Sequence, residues 1–102
     1  MDANQDISVE ELKALLDGNE NIHFYDVRNP DEFEEDNLGA ILIPLGDLME
    51  RMDEFDGLQS EHIYIHCRSG ARSDRAKQIL ESEGFESVHN VLGGIMAFRN
   101  LG

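Results

Sequence analysis

The residues with the most chemical content form one run, His66-Cys67-Arg68-Ser69-Gly70-Ala71-Arg72-Ser73. Cys67 is the chain's single cysteine. It follows an apolar, strand-like segment and precedes a helical pattern. At such a junction the N–H groups from Arg68 to Arg72 can curl into a nest around the sulfur, and Gly70 permits the tight path. A thiolate held there gains from the positive end of the helix dipole and from the arginines. The pKa of Cys67 is therefore expected below that of a free cysteine, leaving the sulfur nucleophilic at neutral pH. A lone cysteine can also serve as a small buried hydrophobe, but a polar, glycine-containing, arginine-rich loop argues for chemistry. One cysteine allows no internal disulfide and no resolving thiol, so any reaction at this sulfur must be completed by an outside molecule.

Charge is distributed unevenly around that site. Twenty-two acids face eight bases, for a net charge of −14. Four of the bases, Arg68, Arg72, Arg75 and Lys77, fall within ten residues after the cysteine, opposed there only by Asp74. Arg68 and Arg72 either orient an anionic reactant or pair with a local acid, and their positions leave both readings open. The strong negative charge disfavours nucleic acid and anionic membrane surfaces as partners. No segment reaches the roughly 20 apolar residues that span a bilayer. The acidic, helix-patterned start lacks the basic residues and apolar run of a secretory signal. The expectation is one soluble domain over residues 1–102, monomeric and in the reducing cytoplasm.

The elements that must position Cys67 follow from periodicity and punctuation. Ser8 and Glu11 form a capping box flanked by Ile7 and Leu12, and Leu12, Leu15 and Leu16 make the apolar stripe of a first helix that stops at Gly18 and Asn19. Ile22 to Val27 reads as a buried strand broken by Asn29 and Pro30. The acidic stretch Asp31 to Asp36 reads as a short exposed helix or turn, a solvated face. Ala40 to Ile43 is a second strand closed by Pro44, and Asp47 is placed to cap a helix running to Phe55. His62 to His66 alternates, with Ile63 and Ile65 on one face and His62, Tyr64 and His66 on the other. After the cysteine loop a helix is expected from about Ser73 to Glu83, then a strand from Ser87 to Val91, and a last short helix opened by Gly93 and Gly94. Strands alternating with helices predict an α/β domain of three layers, with a mainly parallel sheet of four to five strands covered on both faces.

Beside the loop, Asp26 and Arg28 end a neighbouring strand and read as a structural ion pair or loop anchor. The histidines show no ligand pattern, so no metal or other cofactor is expected, and His66 reads as a strand residue packed beneath the loop.

The run HCRSGARSDRA resembles the active-site loop of rhodaneses, a cysteine followed by R-S-G-x-R-S at a helix entry. YDVRNPDEFE, GAILIPL and VLGGIMAF are similar to further landmarks of that family, in the same order, so the resemblance runs from Ile7 to Phe98. Two departures stand out: DNLGA replaces the family's G-H-I-P-G-A approach to the second strand, and Phe98 replaces the commoner tryptophan. The resemblance implies a rhodanese-like fold and a sulfurtransferase. In such an enzyme Cys67 would take the sulfane sulfur of a thiosulfate-like donor as a persulfide and pass it to cyanide, a thiol or a protein. It assigns Arg68, Ser69, Gly70, Ala71 and Arg72 to substrate binding, with Ser73, Asp26 and Arg28 in support. A cysteine phosphatase or arsenate reductase is the rival enzyme, but such catalysts place five residues between cysteine and arginine, and here four separate Cys67 from Arg72. A non-catalytic binding module is the rival of another class. Retention of Cys67 and a complete loop favours catalysis.

Overall fold

A computed structural model describes residues 5–18 and 21–101. Helix α1 (Val9–Asp17) begins with the expected capping box: the Glu11 amide donates to the Ser8 hydroxyl, and the Ser8 amide donates to the Glu11 carboxylate, both at 3.1 Å. Gly18 closes the helix; Asn19 lies outside the described residues.

Among the described residues four strands follow, β1 (His23–Asp26), β2 (Ile41–Leu42), β3 (His62–His66) and β4 (Ser87–Asn90). They form one sheet in the order β2-β1-β3-β4, every neighbouring pair parallel. Tyr25 lies opposite both Ile41 and Ile65, and Ile65 opposite Asn90, so the carboxyl ends of β1, β3 and β4 come level. An isolated parallel bridge from Ile7 to Val91 extends the sheet beyond β4. The pleat sorts β3 as its alternation demands. Ile63 and Ile65 join a core with Val27, Phe55, Leu80 and Val88, while Tyr64 joins Ile7, Leu12, Phe24 and Val91 on the opposite face. The first core lies under α3 (Ala71–Ser82), and the second under α1 and α4 (Gly94–Arg99). This is a three-layer α/β fold.

The connections differ from expectation in three places. Residues 45–55 form 3₁₀ turns, Leu45–Asp47 and Met49–Phe55, with a kink at Arg51 (φ −113°, ψ 26°), and Asp47 caps no α-helix. Such turns suit mixed spacings of three and four, because they still bury Leu48 and Phe55. Strand β2 is limited to two residues at the sheet edge. Helix α3 starts at Ala71, two residues earlier than its apolar pattern suggests, because Gly70 caps it with φ +112°. That early start brings the Ser73 amide into the first turn, next to the sulfur.

Candidate active site

Cys67 stands immediately after β3, where parallel sheets gather their ligands. It is only 1 % exposed. Its Sγ accepts hydrogen bonds from the Gly70 amide at 3.1 Å, the Ser73 hydroxyl at 3.3 Å and the Ser73 amide at 3.4 Å. Burial pushes the thiol up, yet the Ser73 hydroxyl and the amides of Ser73, Gly70 and Ser69 outweigh it and hold the Cys67 pKa below its ordinary value. The nest is thus built by Ser69, Gly70 and Ser73. The amides of Arg68, Ala71 and Arg72, expected to join it, make no hydrogen bond to the sulfur among the described residues.

Two glycines shape this nest from opposite sides. Gly70 turns the chain at its positive φ. Gly94 lets α4 press against the loop from behind, since a Cβ there would lie 2.5 Å from the carbonyl oxygens of both Cys67 and Arg68. Those carbonyls accept from the amides of Ile95 at 3.0 Å and Met96 at 3.1 Å. In a trans peptide the N–H points opposite the C=O. Anchoring the two carbonyls on α4 therefore turns the Arg68 and Ser69 amides into the loop.

Ser73 has one hydroxyl proton and three acceptors: Cys67 Sγ, the Gly70 carbonyl at 3.3 Å, and Asn90 Oδ1 at 2.5 Å. Asn90, buried at the end of β4, also donates from Nδ2 to the Gly70 carbonyl at 3.1 Å. Nothing in its sequence context marks it as part of the site.

The arginines divide. Arg72 is engaged by Glu32 on α2 (Pro30–Glu35) through paired bonds of 2.7 and 2.9 Å. Arg72 holds the Glu32 carboxyl down to about 2, and Glu32 in return raises the pKa of Arg72. Arg68 is exposed, and among the described residues it has no ion-pair partner. It lines a cleft of about 590 Å³ between α2 and α4, with Arg28, Glu32, Met96 and Arg99 among the other walls. Asp36 pairs with Arg99 across that cleft at 2.7 Å. The acidic stretch is therefore more than a solvated face, because two of its carboxylates close ion pairs across the fold.

Asp26 and Arg28 form the buried pair that their positions suggested, the former unexposed and the latter 4 % exposed. Arg28 Nε donates to the Asp26 carboxylate at 3.1 Å, Nη2 donates to Asp26 Oδ2 at 2.8 Å and to the Asp36 carbonyl at 2.7 Å, and Nη1 donates to the Glu32 carbonyl at 3.4 Å. The pair anchors α2, and so the Glu32 carboxylate that holds Arg72. His66 is wholly buried beneath the loop, as expected. Among the described residues, no group of three or more His, Cys, Asp or Glu could hold a metal ion, and no helix is long and apolar enough to cross a membrane.

Comparison with known proteins agrees with this geometry. Residues 8–101 match the rhodanese-like domain family. The chain is 37 % identical over 95 residues to a putative sulfurtransferase of Bacillus subtilis, YtwF, covering 92 % of this chain and 89 % of that one. It is 36 % identical over 91 residues to the putative sulfur carrier protein YrkF of the same organism, covering 88 % of this chain and 48 % of YrkF. This chain thus spans about half of YrkF's length. Among solved structures, a rhodanese-like domain protein from Staphylococcus aureus superposes with a TM-score of 0.84 at 30 % identity, covering 97 % of this chain and 94 % of that one.

Proposed function

This chain belongs to the rhodanese-like domain family, and on that premise we propose that it is a sulfurtransferase that carries sulfur as a Cys67 persulfide. The Cys67 thiolate attacks the sulfane sulfur of a donor such as thiosulfate. A sulfur–sulfur bond forms to Cys67, the donor's sulfur–sulfur bond breaks, and sulfite leaves with its electron pair. An acceptor nucleophile, whether cyanide, a thiolate or a thiol on a protein, then attacks the outer sulfur, and the Cys67 thiolate returns as leaving group.

The observation that carries this reading is the convergence of the Gly70 amide, the Ser73 amide and the Ser73 hydroxyl on one buried sulfur. These donors stabilise a negative sulfur in place and need no rearrangement at the moment of reaction. Arg68, uncommitted and exposed beside the loop, is the first contact for an anionic donor. Arg72, already neutralised by Glu32, acts chiefly by fixing the loop, with part of its guanidinium charge reaching the donor. A small-molecule donor, an outside thiol or protein acceptor, a cytoplasmic setting and a monomeric state belong to the same reading. A phosphatase is disfavoured by the four-residue spacing and by an arginine held on a carboxylate.

The test is direct. Incubation with thiosulfate, removal of small molecules and weighing of the intact chain should show the gain of one sulfur atom, localised to the Cys67 peptide. Cyanide should discharge it as thiocyanate. Cys67→Ser should fold and gain nothing. An unchanged mass across several sulfane donors would overturn the enzyme reading in favour of a binding module.

A further inference from the structure

We propose that His66 is a positioning residue for the sulfur loop, acting through the hydrogen bond that its Nδ1 makes to the Cys67 carbonyl. The Nδ1 lies 3.1 Å from that oxygen. A carbonyl only accepts, so Nδ1 carries the proton. In the neutral ring Nε2 is then a bare lone pair. Among the described residues Nε2 is buried without a hydrogen-bond partner, and the charged Asp26 Oδ2 lies 3.5 Å from it. The charged groups acting on the ring are Asp26, at the end of β1, and Arg28, two residues on. Burial, the largest influence, keeps the ring toward its neutral form.

This is an unfavourable way to fill a core position. The ring packs 5.2 Å from Phe24, in a place where an apolar side chain would bury no orphaned nitrogen. Among the described residues the ring's one hydrogen bond is to Cys67, so that bond is what the imidazole contributes and an apolar residue would not. Its effect follows from the peptide plane. The Cys67 carbonyl accepts from both His66 and the Ile95 amide, and two donors on one oxygen restrict rotation of the Cys67–Arg68 peptide more than one does. That peptide starts the turn which brings the Ser69 and Gly70 amides onto the sulfur. His66 thereby sets the aim of groups it does not touch.

The proposal deepens the persulfide reading, but its primary readout is independent of sulfur transfer. The rate of Cys67 alkylation by iodoacetamide is followed against pH in the wild type, His66→Phe and His66→Asn. Phe keeps an aromatic ring and removes the donor. Asn places an amide N–H near the Nδ1 position. We expect His66→Phe to raise the alkylation midpoint and to slow loading from thiosulfate about tenfold, the equivalent of one ordinary hydrogen bond. His66→Asn should restore both toward wild type. A folded His66→Phe with an unmoved midpoint would overturn the proposal, as would equal impairment of Phe and Asn. Should His66→Phe fail to fold, His66→Gln serves instead, because its amide reaches the Nε2 position and leaves the Cys67 carbonyl unserved. A shifted midpoint with no sulfur uptake in any form would sustain the positioning role and refute the transferase.

Discussion

Ser73→Ala isolates the donor that the sulfur shares with Asn90. In the thiol state the Ser73 proton serves Asn90 Oδ1, 2.5 Å away; when Cys67 is ionised it can turn to the sulfur at 3.3 Å. A hydrogen bond to a charged group contributes about 1.5–3 kcal/mol. Because part of that is offset by the bond given up at Asn90, the net preference for thiolate is about 1.4 kcal/mol, or one pKa unit. The Gly70 and Ser73 amides remain. Ser73→Ala should therefore raise the Cys67 pKa by about one unit and leave it a nucleophile. Below both values, alkylation and persulfide loading should fall about tenfold. Above both, where every molecule is thiolate, the two proteins should react alike. A linked stability effect has a fixed sign. A folded-state pKa below the unfolded one contributes stability that is present above the unfolded value, near 8.5, and lost as pH falls through the folded value. The wild type should thus gain stability over that window, and Ser73→Ala should gain less. Iodoacetamide kinetics and urea unfolding, each followed against pH, measure both. A midpoint that does not move, or a loss uniform across pH, would refute the assignment of Ser73 as a thiolate donor.

Three further substitutions probe the supports. Arg72→Ala should weaken thiosulfate use and let the Glu32 carboxyl rise from about 2 toward the ordinary range, visible by NMR titration; Arg72→Lys should recover only part, because a point charge cannot reproduce the paired fork, and equal activity in all three forms would make Arg72 purely structural. Asp26→Asn leaves the Arg28 guanidinium buried without its counter-charge and should destabilise the fold by about 3–5 kcal/mol; thermal unfolding within a few degrees of wild type would contradict that. Gly94→Ala forces a Cβ to within 2.5 Å of two backbone carbonyls and should both destabilise the fold, by about 1–3 kcal/mol, and slow sulfur loading; Gly57→Ala, at a similar positive φ but in open space, should cost less in urea and leave loading unchanged.

The parts of this fold that could be read from the chain are those governed by short-range rules. The Ser8–Glu11 cap and the alternation of β3 each depend on residues a few positions apart, and both stand in the structure. The cysteine loop was legible because its nest is local, running from Cys67 to Ser73. Its composition was less so. Placing the helix start at Ser73 assigned the nest to the amides before it, whereas the left-handed Gly70 starts the helix at Ala71 and gives Ser73 that place. Glu32 was lost in an acidic run because its partner lies 40 residues away, and charge patterning along the chain carries no record of such pairings. Asn90 escaped for the same reason: its partners, Ser73 and Gly70, meet it only across the end of the sheet.

On the persulfide mechanism proposed above, the depth at which Cys67 sits has a consequence for discharge. A persulfide offers an acceptor two electrophilic sulfurs. Attack on the outer atom returns the enzyme thiolate and carries the sulfur away. Attack on the inner atom expels hydrosulfide and leaves a thiol acceptor bonded to Cys67 as a mixed disulfide, which a chain with one cysteine cannot resolve by itself. The inner atom here is the Sγ of a residue only 1 % exposed, held by donors from Gly70 and Ser73. An incoming nucleophile meets the outer sulfur first and has no straight approach to the one behind it. Under that mechanism, the same burial that raises the cost of ionising the thiol makes discharge of the persulfide regioselective.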